Sequence, residues 1–451
     1  MKVALTTSAA FINTLNLSPA KARLITSVNL LCVNIHTVLD KSTNIQSICK
    51  TNIMATKSLR FLHILLFSLL CFDVTAQSLK PLLFDETRLT GLKQKIAQQD
   101  SKILRLVDKL KQQADKLLDM KPVSVMDKSF TPASGNKHDY MSQAPYFWYD
   151  SSKSDGLPYL RRDGRRNPEI NKITDHAFLG DIDNATRTLS LAWYLTGEEK
   201  YAEKAVALLR CWFLNDSTKM NSNLDYAQAI PGVNNGRGIG IIETIALTGI
   251  ADAASLLSGS SAWKEPDVHA LQQWYSSYLN WMLTSKNGNE EHAAKNNHGT
   301  WFYMQAVDFA LFTGNTTKAK ELAEESKKRI DTQIDNDGKM PLELERTNAL
   351  HYSIYNLQAW FNLAMLAEKV KVDLWQYKNM KGAGIRTAFD WLLPYALEQK
   401  KWDYQQIGGY NKNEFYTLLL QAASKFKESR YEAYAREIDK DDVVVNLLYE
   451  K

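Results

Sequence analysis

Two short stretches of the chain gather side chains that move protons and hold anions. Residues 295–301, KNNHGTW, set the amides of Asn296 and Asn297 beside the His298 imidazole, ahead of a glycine and an aromatic. Residues 343–360, ELERTNALHYSIYNLQAW, place Arg346 and Tyr352 six positions apart, with His351 and Tyr355 alongside. Together they supply amide and guanidinium donors, an imidazole and a phenol. That set suits removal of a proton next to a carboxylate. Such a proton is too weakly acidic unless the developing enolate oxygen is stabilised, and each preorganised donor aimed at that oxygen contributes about 3–4 kcal/mol. A phenol, with an ordinary pKa near ~10, ionises more readily beside a guanidinium. Each stretch also has a plainer reading. Asn-Asn-His at a helix start is a cap followed by a packed histidine. The Arg–Tyr stretch, taken alone, is an amphipathic helix with aromatics on its core face.

A third stretch, residues 139–169 (DYMSQAPYFWYDSSKSDGLPYLRRDGRRNPE), sets Arg161, Arg162, Arg165 and Arg166 near Tyr146, Trp148 and Tyr159. Guanidinium forks suit carboxylates and aromatic faces suit sugar rings; the alternative is a solvated loop with scattered ion pairs. Gln228, Asn234, Asn235 and Arg237, in DYAQAIPGVNNGRGIG, are further groove candidates. His176 precedes a helix and is either a groove residue or a satisfied core histidine. Trp402 and Gln406, in KKWDYQQIGG, fit core packing better than sugar binding. No Cys/His spacing suggests a zinc site, and the chemistry calls for neither metal nor cofactor.

These groups need a frame, and the pattern around them is helical. Leu92, Ile96, Ile103, Val107, Leu110 and Leu117 follow helical spacing over 84–120. Residues 121–172 are rich in Pro, Gly, Asp and aromatics and read as long ordered loops. LSLAWYLTGEEKYAEKAVALLRCWF and MQAVDFALFTGNTTKAKELAEESKKRI are helical hairpins, with Gly197 and Gly314 where a helix end wants a left-handed residue. Repetition of such hairpins predicts an all-α fold, a single (α/α) toroid or incomplete α/α barrel, over about 80–451. Residues 443–448 read as one short strand or a helix end.

The N-terminal part stands outside that frame. Met54 opens MATKSLRFLHILLFSLLCFDVTAQS, with Lys57 and Arg60 before an apolar run of 61–72 and a small-residue cleavage site at 74–76. This is the layout of a signal peptide, too short to span a bilayer. The expected organisation is therefore an upstream extension at 1–53 from an early start, a signal peptide at 54–76, and a catalytic domain at 77–451 that is secreted or periplasmic with no stable membrane span. Of 55 basic and 50 acidic residues, 1–76 hold seven and two, which leaves 48 of each. A balanced chain argues against nucleic acid as partner and requires any anionic ligand to be held by a local cluster. Only Cys211 follows the leader, so no intrachain disulfide supports the fold.

Taken together, NNHGTW, ERTNALHYSIYNLQAW, DYMSQAPYFW and GLPYLRRDGRRNPE resemble the motifs of the alginate lyase superfamily of helical toroid polysaccharide lyases, closest to polysaccharide lyase family 38 and more distantly family 5. The resemblance runs from about 139 to 406. It implies β-elimination on a uronic-acid polymer, alginate (polymannuronate) or glucuronan. In that reading Asn297 neutralises the uronate carboxylate, and His298 is a base or a carboxylate partner. Arg346 assists and lowers the pKa of Tyr352, which donates to the leaving oxygen and is the alternative base. Glu291 orients His298, and Asn296 joins the substrate-binding set. Family 5 spaces its Arg and Tyr by seven, against six here, so Tyr355 is the alternative phenol. A glycoside hydrolase on a similar toroid would need a facing carboxylate pair, for which Asp175, Asp181, Asp183 and Glu243 are the acidic residues at hand. A non-catalytic polysaccharide-binding protein would need the arginine–aromatic loop but not the Asn–His–Tyr set.

Overall fold

The structure is a computed structural model that describes residues 79–438 and 442–449; the expected extension and leader lie outside the described residues. The helical run over 84–120 is two helices, α1 (Glu86–Ala97) and α2 (Ser101–Leu117). The chain breaks between them because Asp100 caps α2, accepting from the backbone N–H groups of Lys102 and Ile103. A carboxylate there satisfies orphan donors and faces the positive end of the helix dipole.

The loop region that follows contains β1 (Met141–Gln143), β2 (Phe147–Trp148) and β3 (Leu160–Arg161). Next come α3 (Asp175–Thr196), α4 (Glu199–Leu209) and β4 (Tyr226–Ala229). A 3₁₀ segment, Gly238–Ile245, runs into α5 (Ala246–Leu256). Then follow α6 (Glu265–Thr284), α7 (Lys286–Ala293), α8 (Asn297–Phe312), α9 (Thr316–Gln333) and the single turn α10 (Pro341–Leu344). The last elements are α11 (Ala349–Glu368), α12 (Ile385–Ala396), α13 (Asn413–Phe426), α14 (Ser429–Arg436) and α15 (Val443–Tyr449). Residues 443–448 are thus helical. Gly197 ends α3 with φ 73°, and Gly314 follows α8 with φ 77°, as the hairpin pattern predicts.

Helix composition sorts the elements into two layers. α3, α5, α8, α11 and α13 pack side by side in that order. α5, α8 and α11 are buried on most faces, whereas α3 and α13 bury about one side; α8 buries every residue except His298 and Leu311. A helix apolar all round must be covered all round, and amphipathic partners do so: α2 and α4 lie on α3, α9 and α6 on α8, α12 on α11 and α14 on α13. Lys and Glu of α9 face solvent while Ala319, Leu322, Ala323 and Ile330 face inward. α15 packs on α13 and also on α1 and α2, so among the described residues the last helix meets the first two. The result is the expected all-α toroid of helical hairpins. The stretch Gly238–Leu256 is long and apolar enough to cross a membrane, but 67% of it is buried inside this fold, against α3 and α8.

Buried acids lie in the inner layer, among them Asp175 on α3, Asp252 on α5 and Asp308 on α8. Asp252 on α5 accepts from the backbone N–H groups of Leu82, Leu83 and Phe84, pinning the segment before α1. Asp308 on α8 is fully buried with neither carboxylate oxygen partnered. Burial, with the nearby Asp252 adding to it, pushes its carboxyl well above the ordinary range. A group whose folded pKa is raised releases its proton more readily when unfolded, so its contribution to stability falls as pH rises above ~4. Asp308→Asn removes that dependence. The variant is expected to melt higher than wild type, by a margin that widens from pH 5 towards pH 8 at up to ~1.4 kcal/mol per unit. Parallel melting curves at all pH values would contradict this.

Candidate active site

The Asn-Asn-His turn is both a helix cap and a lining of a large cavity. Asn296 caps α8, its Oδ1 accepting from the His298 backbone N–H. The carbonyls of the turn are tied from α9. Gln333 Nε2 donates to the carbonyls of Lys295 (2.9 Å) and Asn296 (3.1 Å), and the Arg329 guanidinium donates to those of His292, Ala294 and Asn296. His298 Nδ1 lies 2.8 Å from Oε1 of the buried Glu291 at the end of α7. In the tautomer that donates from Nδ1 to this carboxylate, the Nε2 lone pair is free. Asn297 is fully buried; its backbone N–H and its Nδ2 each donate to Glu343 of α10 at 2.6 Å.

The Arg–Tyr pair is assembled differently from the two-turn helix that its spacing suggests. Arg346 precedes α11, and Tyr352 lies in the first turn of that helix. The guanidinium stacks on the Tyr352 ring, 3.6 Å from its centroid, a cation–π contact. Arg346 also pairs with Asp163 at 3.0 Å, and Thr347 Oγ1 donates to the same carboxylate at 3.0 Å. Burial pushes Asp163 up, but the bond and charge of Arg346, with help from Thr347, win and hold it down to about 2. Burial raises the Tyr352 phenol well above its ordinary value; Arg346 pulls the other way, and Tyr146, whose hydroxyl bonds that of Tyr352 at 2.9 Å, raises it further. The guanidinium acts in the expected direction, but burial outweighs it.

The loop that carries Tyr146 and Asp163 is held by its own hydrogen bonds. β2 and β3 pair antiparallel, Phe147 opposite Arg161, and β1 pairs parallel with β4. Asn167 donates from its backbone to the Pro145 carbonyl and from its side chain to that of Phe147. Gly164, at φ 71°, passes so close to Thr347 that an added Cβ would sit 2.5 Å from its hydroxyl. Only glycine fits both that dihedral and that approach.

These elements enclose a cavity of about 1570 Å³. Asn297, His298, Arg346 and Tyr352 all line it, as do Asn296, Tyr146, Arg161, His176, Gln228, Arg237 and Tyr355. His176 is exposed in the first turn of α3, on the groove and not in the core. Glu291 stands behind His298. Five expected groove residues do not line the cavity. The Trp148 indole donates to the Arg165 carbonyl, and Arg162 lies over the Trp148 ring, so these three stabilise one another outside it. Asn234 Oδ1 accepts from the Ile230 backbone within a tight turn, and Asn235 is exposed beside it. Trp402 packs among Trp391, Tyr395 and Tyr404, and Gln406 accepts from the Leu350 N–H, both as structural residues. Asp163 and Glu343 went unrecognised among the motif residues, as did Gln333. Among the described residues no group of three or more His, Cys, Asp or Glu side chains could hold a metal ion.

Asp163 is the loop's main tie to the Arg–Tyr element, so Asp163→Ala is expected to free the segment that carries Arg161, Arg162, Arg165 and Arg166. Trypsin should then cut between 161 and 166 several-fold faster than in wild type, at unchanged far-ultraviolet circular dichroism. An equal rate of cleavage would show that the tie does not hold the loop.

Comparison with known proteins places this geometry. The family model described as alginate lyase matches residues 124–402. An alginate lyase from Bacteroides ovatus is 39% identical over 82% of this chain and 99% of its own, with a TM-score of 0.78. A histidine-to-alanine variant of alginate lyase A1-III, the enzyme of Sphingomonas species A1, in complex with a tetrasaccharide, is 16% identical over 84% of this chain and 99% of its own, with a TM-score of 0.56. That second likeness is one of fold. No curated protein matches the chain. With the family model covering most of the chain and a relative this similar along nearly its whole length, the protein belongs to the alginate lyase family and is a polysaccharide lyase.

Proposed function

We propose that the chain cleaves a uronic-acid polymer by β-elimination, with alginate, as polymannuronate, the first candidate and glucuronan the second. The observation that carries this is the convergence of an amide, an imidazole, a guanidinium and a phenol from α8, α11 and the turn between α10 and α11 on one cavity. The alginate lyase of Bacteroides ovatus supports alginate. Arg161, Arg166, Arg237, Lys295 and Arg346 line the cavity together with Asp163, Asp181, Glu243 and Glu345, so a local set of cations is available to a polyanion.

In this reading Asn297 and Arg346 meet the carboxylate of the uronate and stabilise the enolate that forms. The His298 Nε2 lone pair takes the C5 proton. The electrons of that C–H bond form the C4–C5 double bond as the C4–O bond breaks, and Tyr352 gives its proton to the departing glycosidic oxygen. A phenol held above its ordinary pKa keeps its proton in the resting enzyme, which suits the acid role more than the base role. The His298 imidazolium then gives its proton to solvent, and solvent returns a proton to the Tyr352 phenolate.

Purified protein incubated with polymannuronate, polyguluronate and glucuronan is expected to raise ultraviolet absorbance on at least one, because elimination creates a conjugated double bond and hydrolysis does not. Reducing ends appearing without absorbance would favour the hydrolase. Tyr352→Phe keeps the ring under Arg346 and is expected to lower kcat by about 10²- to 10⁴-fold while polymer binding is retained; unimpaired turnover would remove Tyr352 from the mechanism. We further propose that residues 54–76 export the enzyme to the periplasm or beyond, where polymers are met. The amino-terminal sequence of the secreted protein is expected to begin at Gln77, and intracellular retention with Met54 intact would refute export.

A further inference from the structure

Glu343 has no assigned part in the chemistry, yet its carboxylate makes a two-point contact with Asn297. It is 1% exposed, Asn297 is fully buried, and the two are 46 residues apart in sequence. One carboxylate oxygen accepts from the Asn297 backbone N–H and the other from its Nδ2, both at 2.6 Å. This two-point grip does more than cap a helix. The backbone bond satisfies an orphan donor at the start of α8. The side-chain bond removes the rotation about the terminal torsion that an asparagine otherwise keeps. The Asn297 Oδ1 has no partner, so nothing else sets the direction of the amide. With one Nδ2 hydrogen held by Glu343, the second is the one left to meet a ligand carboxylate.

The neighbouring residues make the grip mechanistically pointed. Glu343 and Arg346 lie three positions apart across the end of α10, where the Arg346 N–H donates to the Glu343 carbonyl. One end of this short segment holds Asn297, and the other stacks on Tyr352. Residues 343–346 therefore act as a bracket that sets the carboxylate-binding amide against the phenol. We propose that Glu343 is a positioning residue for the elimination, fixing the Asn297 amide towards the uronate carboxylate. The proposal rests on the elimination reading above.

Glu343→Gln is nearly isosteric but turns an amide N–H₂ towards one of the two Asn297 donors. The test is a double-mutant cycle of Glu343→Gln and Asn297→Ala on whichever uronate polymer wild type cleaves fastest, with melting curves for all four proteins. In an otherwise wild-type background Glu343→Gln is expected to lower kcat roughly 10- to 100-fold, the range that removal of an orienting partner produces at metal ligands, with KM changed less than about threefold. In the Asn297→Ala background the same substitution is expected to cost almost nothing, because the residue it positions is gone. Equal losses in both backgrounds, or full activity of Glu343→Gln, would overturn the role. Should Glu343→Gln fail to fold, Glu343→Asp, which keeps the charge but shortens the reach, is read through the same cycle with the same two outcomes. Wild-type protein that cleaves none of the polymers would sink the elimination reading and this role with it, whereas active wild type with an additive cycle would sink the positioning role alone.

Discussion

A single buried amide registers the two halves of the site. Gln333, at the end of α9 and 3% exposed, accepts at Oε1 from Thr300 of α8 and from Asn356 and Trp360 of α11, while its Nε2 holds the carbonyls of the turn before α8. α8 and α11 are apolar on almost every face, so hydrophobic burial drives them together without choosing one axial position over another. A saturated polar hub does choose, because sliding either helix by one turn would strand donors and acceptors in a dry interior at about 1–3 kcal/mol each. The same amide that sets the register also presents the Asn-Asn-His turn, so the framework of the inner layer and the geometry of the chemistry are not separable.

Electrostatics follow a similar economy. Residues 77–451 carry equal numbers of basic and acidic residues, and cations that line the cavity are paired with groups that also build its walls. Asp163 neutralises Arg346 and fastens the loop; Glu291 holds one ring nitrogen of His298; Gln228 accepts from Arg237 at 2.8 Å. Desolvated guanidinium groups without such partners would be costly. With them, the side chains are held in place before a ligand arrives.

The chemistry-bearing motifs were readable from the chain because their residue types are unusual together, and hairpin glycines marked the far ends of α3 and α8. What could not be read is whatever depends on distant contacts. Asp163 sits inside a run of arginines and reads as part of a basic patch; its bond to a residue 183 positions away is a product of folding. Glu343 and Gln333 look like ordinary letters of amphipathic helices. Trp148, Arg162 and Arg165 have the right types for sugar binding but satisfy one another, and Asn234 spends its side chain on its own turn. Spacing also misled at Arg346, which stands outside the helix and reaches Tyr352 by stacking, so the six-residue gap is set by a turn and not by helical rise.

The meeting of α15 with α1 and α2 has a consequence for biosynthesis. Arg88 of α1 donates to the Leu447 carbonyl at 2.7 Å, a closure across 359 positions. On the ribosome the earliest helices emerge with part of their apolar surface facing nothing, and the segment that covers it is nearly the last to be made. The seam can therefore close only after residues 443–449 have been made, and until then it is exposed to whatever accompanies the nascent chain.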